Sequence, residues 1–385
     1  MRPCVKALVL GKGKSGEASA TLLRSHGFEV DFADGYDLVV ASPGLPVKSE
    51  LQLGCEELKR RGWKLLAVTG SKGKSSVVKL VAEALGGVPC GNYGLPVSEV
   101  AFPQAPNCQI KQSYSQAIKQ SNNQTIKQSN TSPWAVVEVS SFQLETTNLP
   151  PDTFEAAAVL NLQEDHLDRH GSVEVYHGLK RRLLGMTRRP VFGPPPPSDD
   201  ALLAGSYFDN AILRENGRCA IALMRAAGLD DVRIAEAFAR FEPLPHRMNL
   251  VAEIGGVRYF DDSKATSVAA LVAGVEMASE GARKVRLIAG GLPKGDDPKS
   301  ALPVLTRWVK KVYLIGRCAE VFSQAWKSSV DCEVCQTMEV AVEGARRDAE
   351  KGEVVLLSPG TASFDQFKSF GERGDVFADL VKKGK

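Results

Sequence analysis

The nine residues Val68–Ser76, VTGSKGKSS, limit what this chain can fold into more than any other stretch. They follow an apolar run, KLLAV, and precede SSVVKLVAEAL, whose apolar residues recur at helical spacing. A strand that runs through a glycine-rich loop into a helix turns backbone N–H groups toward the loop's mouth. The partial positive charge of the helix N-terminus lies behind them, and together they suit phosphate oxygens. Lys74 would neutralise the β- and γ-phosphates, and the Ser75 hydroxyl would help to hold Mg²⁺. The strict phosphate-loop pattern has glycine at position 68, whereas this chain has Val68 there and its glycine at position 70. Taken alone, the stretch is also compatible with an ordinary glycine-rich turn.

The same strand-then-helix alternation recurs along the chain, as VKALVLG followed by EASATLLRSHG, and later as VRLIAGG, KVYLIG and EVVLLSPG. Repetition of that unit predicts an α/β protein with parallel sheets, whose ligands sit at the carboxyl ends of the strands. A length of 385 residues allows two or three domains. Three blocks are expected: residues 1–62, 63–244 and 245–385.

Charge narrows the function. A net charge of +3 is too small to argue for nucleic acid or an anionic membrane, so local basic residues must carry any anion binding. The start, MRPCVKALVLGKGKSG, breaks into glycines too early for a signal peptide, and no apolar run approaches the roughly 20 residues of a membrane span. The eight cysteines are scattered and read as reduced thiols of a cytoplasmic protein. Cys332 and Cys335 form a C-x-x-C with no second pair, which reads as two strand cysteines.

Two stretches stand apart. Residues 107–132 are rich in Ser, Gln and Asn and contain IKQS three times, at Ile110, Ile118 and Ile126. So polar an insertion can bury little and is expected to be a mobile surface loop. The second is GPPPPSDD, Gly193 to Asp200, whose prolines predict an extended segment and no helix.

The variant T-G-x-x-G-K-[ST] resembles the phosphate loop of the Mur ligases and folylpolyglutamate synthases. AVVEVSSFQLE (Ala135–Glu145), AVLNLQEDHLDRHGSVEVYHGLKRRLL (Ala158–Leu184), LPHRMNLV, DDSKATSVAAL, GGLPKGDD and LSPGTASFDQFKSFGERGDVFADLV follow in the order of the Mur ligase family. The combination of EVSSFQLE, DDSKAT and SPGTASFDQF resembles the D-glutamate-adding branch. The resemblance implies three α/β domains: a Rossmann-like N-terminal domain for the UDP substrate, a central P-loop-type ATP domain, and a Rossmann-like C-terminal domain for the amino acid. It also implies a monomeric enzyme of peptidoglycan precursor synthesis. Such an enzyme uses ATP and two Mg²⁺ ions to join D-glutamate to UDP-N-acetylmuramoyl-L-alanine through an acyl phosphate. That chemistry is coherent, because a carboxylate reacts with an amine only after gaining a better leaving group, and phosphoryl transfer needs positioning and charge neutralisation above all.

Residue by residue, the resemblance implies the following roles. ATP is bound by Gly70, Ser71, Lys72, Gly73, Lys74, Ser75, Ser76, Asn216, Arg247, Asp262 and Lys264. Mg²⁺ is held by Ser75, Glu138, His166 and a carbamylated Lys180, and catalysis falls to Lys74, Glu138, His166 and Lys180. The UDP substrate meets Gly11, Lys14, Ser15, Asp34, Ser42, Asn92 and Ser140. D-Glutamate meets Thr266, Lys294, Ser363, Phe364 and Phe370. Without the resemblance, Glu138 reads as a solvated strand-end acid, Lys180 as a surface lysine, and Phe370 as plain core.

The chain departs from the family in places. Ser71 and Lys72 replace the Thr-Asn of the family's loop, and the adenine segment H-N-x-x-N appears as Ile212-Leu-Arg-Glu-Asn216. The first block is short, and a stretch after GPPPPSDD is missing. Two other readings stay open. Another Mur ligase or a folylpolyglutamate synthase-like amide ligase shares the phosphate loop but not EVSSFQLE with SPGTASFDQF. A non-catalytic nucleotide-binding relative fits the shortened segments but not the retained Lys74, Glu138, His166, Lys180, Lys264 and Lys294.

Overall fold

A computed structural model describes residues 6–10, 13–26, 29–33, 48–101, 132–163, 167–193, 195–210, 213–279, 282 and 284–383. Gly11, Asp34, Ser42 and His166 lie outside the described residues, as does the IKQS repeat. The strands are β1 (Lys6–Leu10), β2 (Glu29–Ala33), β3 (Lys64–Thr69), β4 (Val88–Gly91), β5 (Trp134–Glu138), β6 (Ala156–Val159), β7 (Pro190–Phe192), β8 (Asn249–Ile254), β9 (Val257–Asp261), β10 (Val285–Gly290), β11 (Val309–Ile315), β12 (Asp331–Gln336) and β13 (Val354–Leu357).

The chain divides into two compact units, residues 1–209 with 213–241, and residues 210–212 with 242–385. The first holds a parallel pair, β1–β2, and a five-stranded parallel sheet in the order β4-β5-β3-β6-β7. Strand β3 is central because its run Leu65–Val68 is wholly apolar and wholly buried, as a strand covered on both faces must be. Helix Glu50–Arg60 packs Leu51, Cys55 and Leu58 against one face, where Leu65, Ala67, Ala135 and Val137 lie. Ser49 caps that helix by accepting the Gln52 N–H at 3.1 Å. Full burial of such a Leu or Val side chain stabilises the unit by about 1.5–3 kcal/mol.

The second unit is a six-stranded sheet, β12-β11-β10-β13-β9-β8, in which only β8 runs antiparallel. Buried residues cover both faces, with Leu287, Leu314 and Leu356 on one and Ile288, Tyr313 and Leu357 on the other. The expected α/β class with parallel sheets is therefore the class observed. Cys332 and Cys335 lie within edge strand β12. No helix among the described residues is long and apolar enough to cross a membrane.

The proline run corrects one expectation. Pro196 is extended (φ −55°, ψ 153°), but Pro197 opens a 3-10 helix, Pro197–Leu203. A proline at the first helical position lacks only an N–H that would be orphaned there, and its fixed φ suits the turn, so it starts a helix as readily as it breaks one.

Candidate functional site

In the first unit, strands β3 and β5 deliver expected residues to one end of the sheet, and β6 ends beside them. Strand β3 runs into the phosphate loop. Glu138 ends β5 and pairs with Val68, while Val159 of β6 pairs with Thr69. Helix Lys74–Leu85 begins at Gly73, whose φ of +81° favours glycine; an added Cβ there would lie 2.2 Å from Asn216 Nδ2. The Ser71 and Lys72 N–H groups are taken by Asn161, at 3.0 Å to its carbonyl and 2.8 Å to its Oδ1. The helix's first-turn donors, Lys74, Ser75 and Ser76, are those a helix leaves for a ligand.

The lysines converge. Lys74 Nζ donates to the Gly70 carbonyl at 2.9 Å and to that of Ser71 at 3.1 Å. Lys180, on helix Val173–Arg181, donates to the same Gly70 carbonyl at 2.9 Å and lies over the Tyr176 ring. Lys180 is only 2% exposed, so the reading as a surface lysine is wrong: its ammonium points inward, under the phosphate loop. Two cations on one carbonyl make a place for an anion.

Glu138 is also buried. Asn92 Nδ2 donates to its Oε1 at 2.9 Å, and its Oε2 has no hydrogen-bond partner among the described residues. An ionised carboxylate oxygen left bare in the interior is costly unless a cation meets it, so the residues present fit a divalent ion at Glu138. Ser75 is half-buried at the helix start. Ser140 caps the next helix, Ser141–Thr146, in a capping box with Gln143. That use occupies its hydroxyl, which sits near Glu138 in sequence rather than reaching out freely. Lys14 and Ser15 are exposed at the start of helix Lys14–Ser25.

The second unit has its own convergence at the carboxyl ends of β9, β10 and β13. The Asp262 carboxyl accepts from Ser358 Oγ at 2.9 Å. Burial pushes its pKa up to about 7; the Ser358 bond opposes the rise and the negative charge of Asp261 adds to it. Lys264 Nζ stands 3.8 Å over the Phe370 ring, which joins an expected nucleotide contact to an expected amino-acid contact and leaves Phe370 half-buried rather than plain core. Ser363 is buried, Thr266 half-buried, Lys294 exposed, and Phe364 is 70% exposed. Arg247 is half-buried in a turn whose neighbours His246 and Met248 have φ of +60° and +51°. His246 keeps that strained conformation because its Nδ1 meets Asp261 Oδ2 at 2.6 Å and its carbonyl accepts the Lys264 N–H at 3.0 Å.

Sequence reasoning missed Asn161, Tyr176, Asp261 and Arg373. Arg373 is fully buried and donates to Ser263 Oγ and O, Thr361 O and Ala362 O at 2.9–3.2 Å, so one guanidinium ties the DDSKAT loop to the SPGTAS loop. Burial draws its pKa down to about 10, which still leaves it charged at neutral pH. The signal that could have found it is register: Arg373 stands four and eight residues before Phe377 and Val381, on the apolar face of FGERGDVFADLV.

The raised pKa of Asp262 gives a testable sign. The folded state holds its proton up to about pH 7, whereas the unfolded chain releases it near the usual carboxylate value. Over that window the folded state binds more protons, so this group lowers stability as pH rises, by about 1.4 kcal/mol per pH unit. Asp262→Asn should therefore leave the melting temperature of the ligand-free protein unchanged near pH 4 and raise it at pH 8. An equal shift at both pH values would contradict the raised pKa.

Comparison with known proteins adds the following. Residues 68–191 match the Mur ligase middle domain, and residues 246–360 match the Mur ligase glutamate ligase domain. A UDP-N-acetylmuramoylalanine–D-glutamate ligase of Nitratidesulfovibrio vulgaris is 31% identical, with 99% of this chain and 97% of the relative covered. That alignment runs to 455 positions against the chain's 385 residues, so the relative carries segments that this chain lacks. The ligase of the same name from Acidobacterium capsulatum is 30% identical, with 98% and 96% covered. Among solved structures, the MurF ligase of Thermotoga maritima in complex with ADP is similar in fold, with a TM-score of 0.58 at 15% identity and coverage of 100% and 97%.

Proposed function

The chain belongs to the Mur ligase family, and on that premise we propose that it is the ATP-dependent ligase that joins D-glutamate to UDP-N-acetylmuramoyl-L-alanine. The observation that carries the proposal is a buried, half-unsatisfied Glu138 carboxylate on the strand beside the one that leads into the phosphate loop, where two lysines, Lys74 and Lys180, share the Gly70 carbonyl. Near-full-length likeness to two ligases of that specificity supports the choice of substrates.

The division of labour follows from the side chains. The N–H groups of Gly73 to Ser76 and the Lys74 ammonium hold the triphosphate. Asn216, Arg247, Asp262 and Lys264 are proposed as further nucleotide contacts. Lys14, Ser15, Asn92 and Ser140, with Gly11, Asp34 and Ser42, are proposed for the UDP substrate. Thr266, Lys294, Ser363, Phe364 and Phe370 are proposed for D-glutamate. We assign Mg²⁺ to Ser75, Glu138, His166 and Lys180; when bound, it would neutralise charge on the phosphates and the reacting carboxylate. A lysine can serve there only as a carbamate, because an ammonium has no lone pair to give. In the reaction a carboxylate oxygen of the muramoyl-alanine attacks the γ-phosphorus of ATP and ADP leaves. The D-glutamate amine then attacks the acyl carbon, phosphate leaves and the amine loses a proton. We assign the domains to residues 1–62, 63–244 and 245–385, in a cytoplasmic monomer.

The acyl-phosphate step has a direct isotopic test. With ¹⁸O in the alanyl carboxylate, one ¹⁸O should appear in the released phosphate; unlabelled phosphate would rule the step out. Amino-acid recognition has its own test. A charge-assisted contact to a carboxylate is worth about 1.5–3 kcal/mol, so Lys294→Ala should raise the D-glutamate KM by roughly one to two orders of magnitude and leave the KM for UDP-N-acetylmuramoyl-L-alanine nearly unchanged. Equal losses for both substrates would move Lys294 away from the amino-acid site.

A further inference from the structure

Asn161 lies two residues beyond the end of β6 and outside every residue role assigned above. Its backbone carbonyl accepts the Ser71 N–H at 3.0 Å. Its side chain then closes a two-point ring on the next loop residue: Oδ1 accepts the Lys72 N–H at 2.8 Å, and Nδ2 donates to the Lys72 carbonyl at 2.9 Å. A carboxamide offers an acceptor and a donor side by side without a charge, whatever the pH. The same Nδ2 also donates to Asn216 Oδ1 at 3.0 Å.

These bonds set one another's direction. A backbone N–H can only donate, so Lys72 fixes Oδ1 of Asn161 toward the loop. Nδ2 must then face Asn216, which turns its own Oδ1 inward. Asn216 Nδ2 is left against Gly73, at 2.2 Å from where a Cβ would stand. One residue therefore holds the loop twice, Ser71 through its backbone carbonyl and Lys72 through its side chain, and the same side chain sets the orientation of Asn216, a helix residue that is itself buried.

We propose that Asn161 is a positioning residue for nucleotide binding, which fixes the phosphate loop and couples its shape to the orientation of Asn216. The proposal rests on reading the loop as an ATP site. It gives Asn161 no contact with the phosphates. Asn161 instead withdraws the Ser71 and Lys72 N–H groups from phosphate binding and leaves those from Gly73 onward aimed at the ligand.

The test is calorimetric titration of ADP and AMP into the full chain and into Asn161→Ala, Asn216→Ala and the double variant, with thermal melts as a check on folding. If Asn161 shapes the loop, Asn161→Ala weakens ADP about tenfold or more and weakens AMP, which has no β-phosphate, much less. The ADP-over-AMP preference then collapses. The double variant should lose less than the product of the two single losses, because removing Asn161 already frees Asn216. Should Asn161→Ala unfold, Asn161→Ser is read in the same way. An unchanged ADP-over-AMP preference in a folded variant, or losses that multiply in full, would overturn the proposal. A wild-type chain that binds no ADP would instead remove the nucleotide reading beneath it.

Discussion

Lys74→Ala should abolish ATP turnover, lowering kcat/KM for ATP by at least about 10²–10³-fold, the scale of losing one preorganised charge at a phosphoryl-transfer centre. The fold should survive. Lys74 Nζ donates to the loop's own carbonyls of Gly70 and Ser71. The loop's shape comes from Gly73 in its left-handed conformation and from the bonds of Asn161 to Ser71 and Lys72. What the substitution removes is a point charge, and a melting temperature within a few degrees of wild type is expected. Normal turnover in a folded variant would sink the phosphate-loop assignment.

Lys180→Ala should cost a similar factor, for a different reason. At 2% exposure, with its ammonium 2.9 Å from the Gly70 carbonyl, Lys180 cannot be replaced by bulk water. If it works as a carbamate that helps Glu138 hold Mg²⁺, formate or acetate should restore part of the lost activity by supplying carboxylate oxygens in the space left behind. If it works as an ammonium on the loop, short alkylamines should rescue and carboxylates should not. Full activity without any addition would make Lys180 a packing residue.

These two lysines show what the sequence could and could not convey. Lys74 is legible because its role is set within nine residues by a strand, a loop and a helix start. Glu138 is legible in part, since an acid ending an apolar strand reaches the ligand end of a parallel sheet. Lys180 by itself reads as an exposed helical charge, because its burial depends on Gly70, 110 residues earlier. The same distance hides Arg373, whose partner Ser263 is also 110 residues away, and Asn161, whose partners Lys72 and Asn216 lie 89 and 55 residues off. Each is a polar side chain satisfied by partners far away in sequence, and local periodicity, which can at most place Arg373 on a buried helix face, does not name those partners. The Pro197 helix start was missed for the opposite reason: the rule applied was local, but it belonged to helix interiors and not to their first turn.

The specificity claim meets its most direct test in phosphate release from ATP by the purified full chain. UDP-N-acetylmuramoyl-L-alanine is supplied throughout, and D-glutamate, L-glutamate, meso-diaminopimelate or no amino acid is added in parallel. Sustained phosphate release, with a matching dipeptidyl product, is expected for D-glutamate alone. Release that is equal with and without amino acid, or that prefers L-glutamate or meso-diaminopimelate, would contradict it.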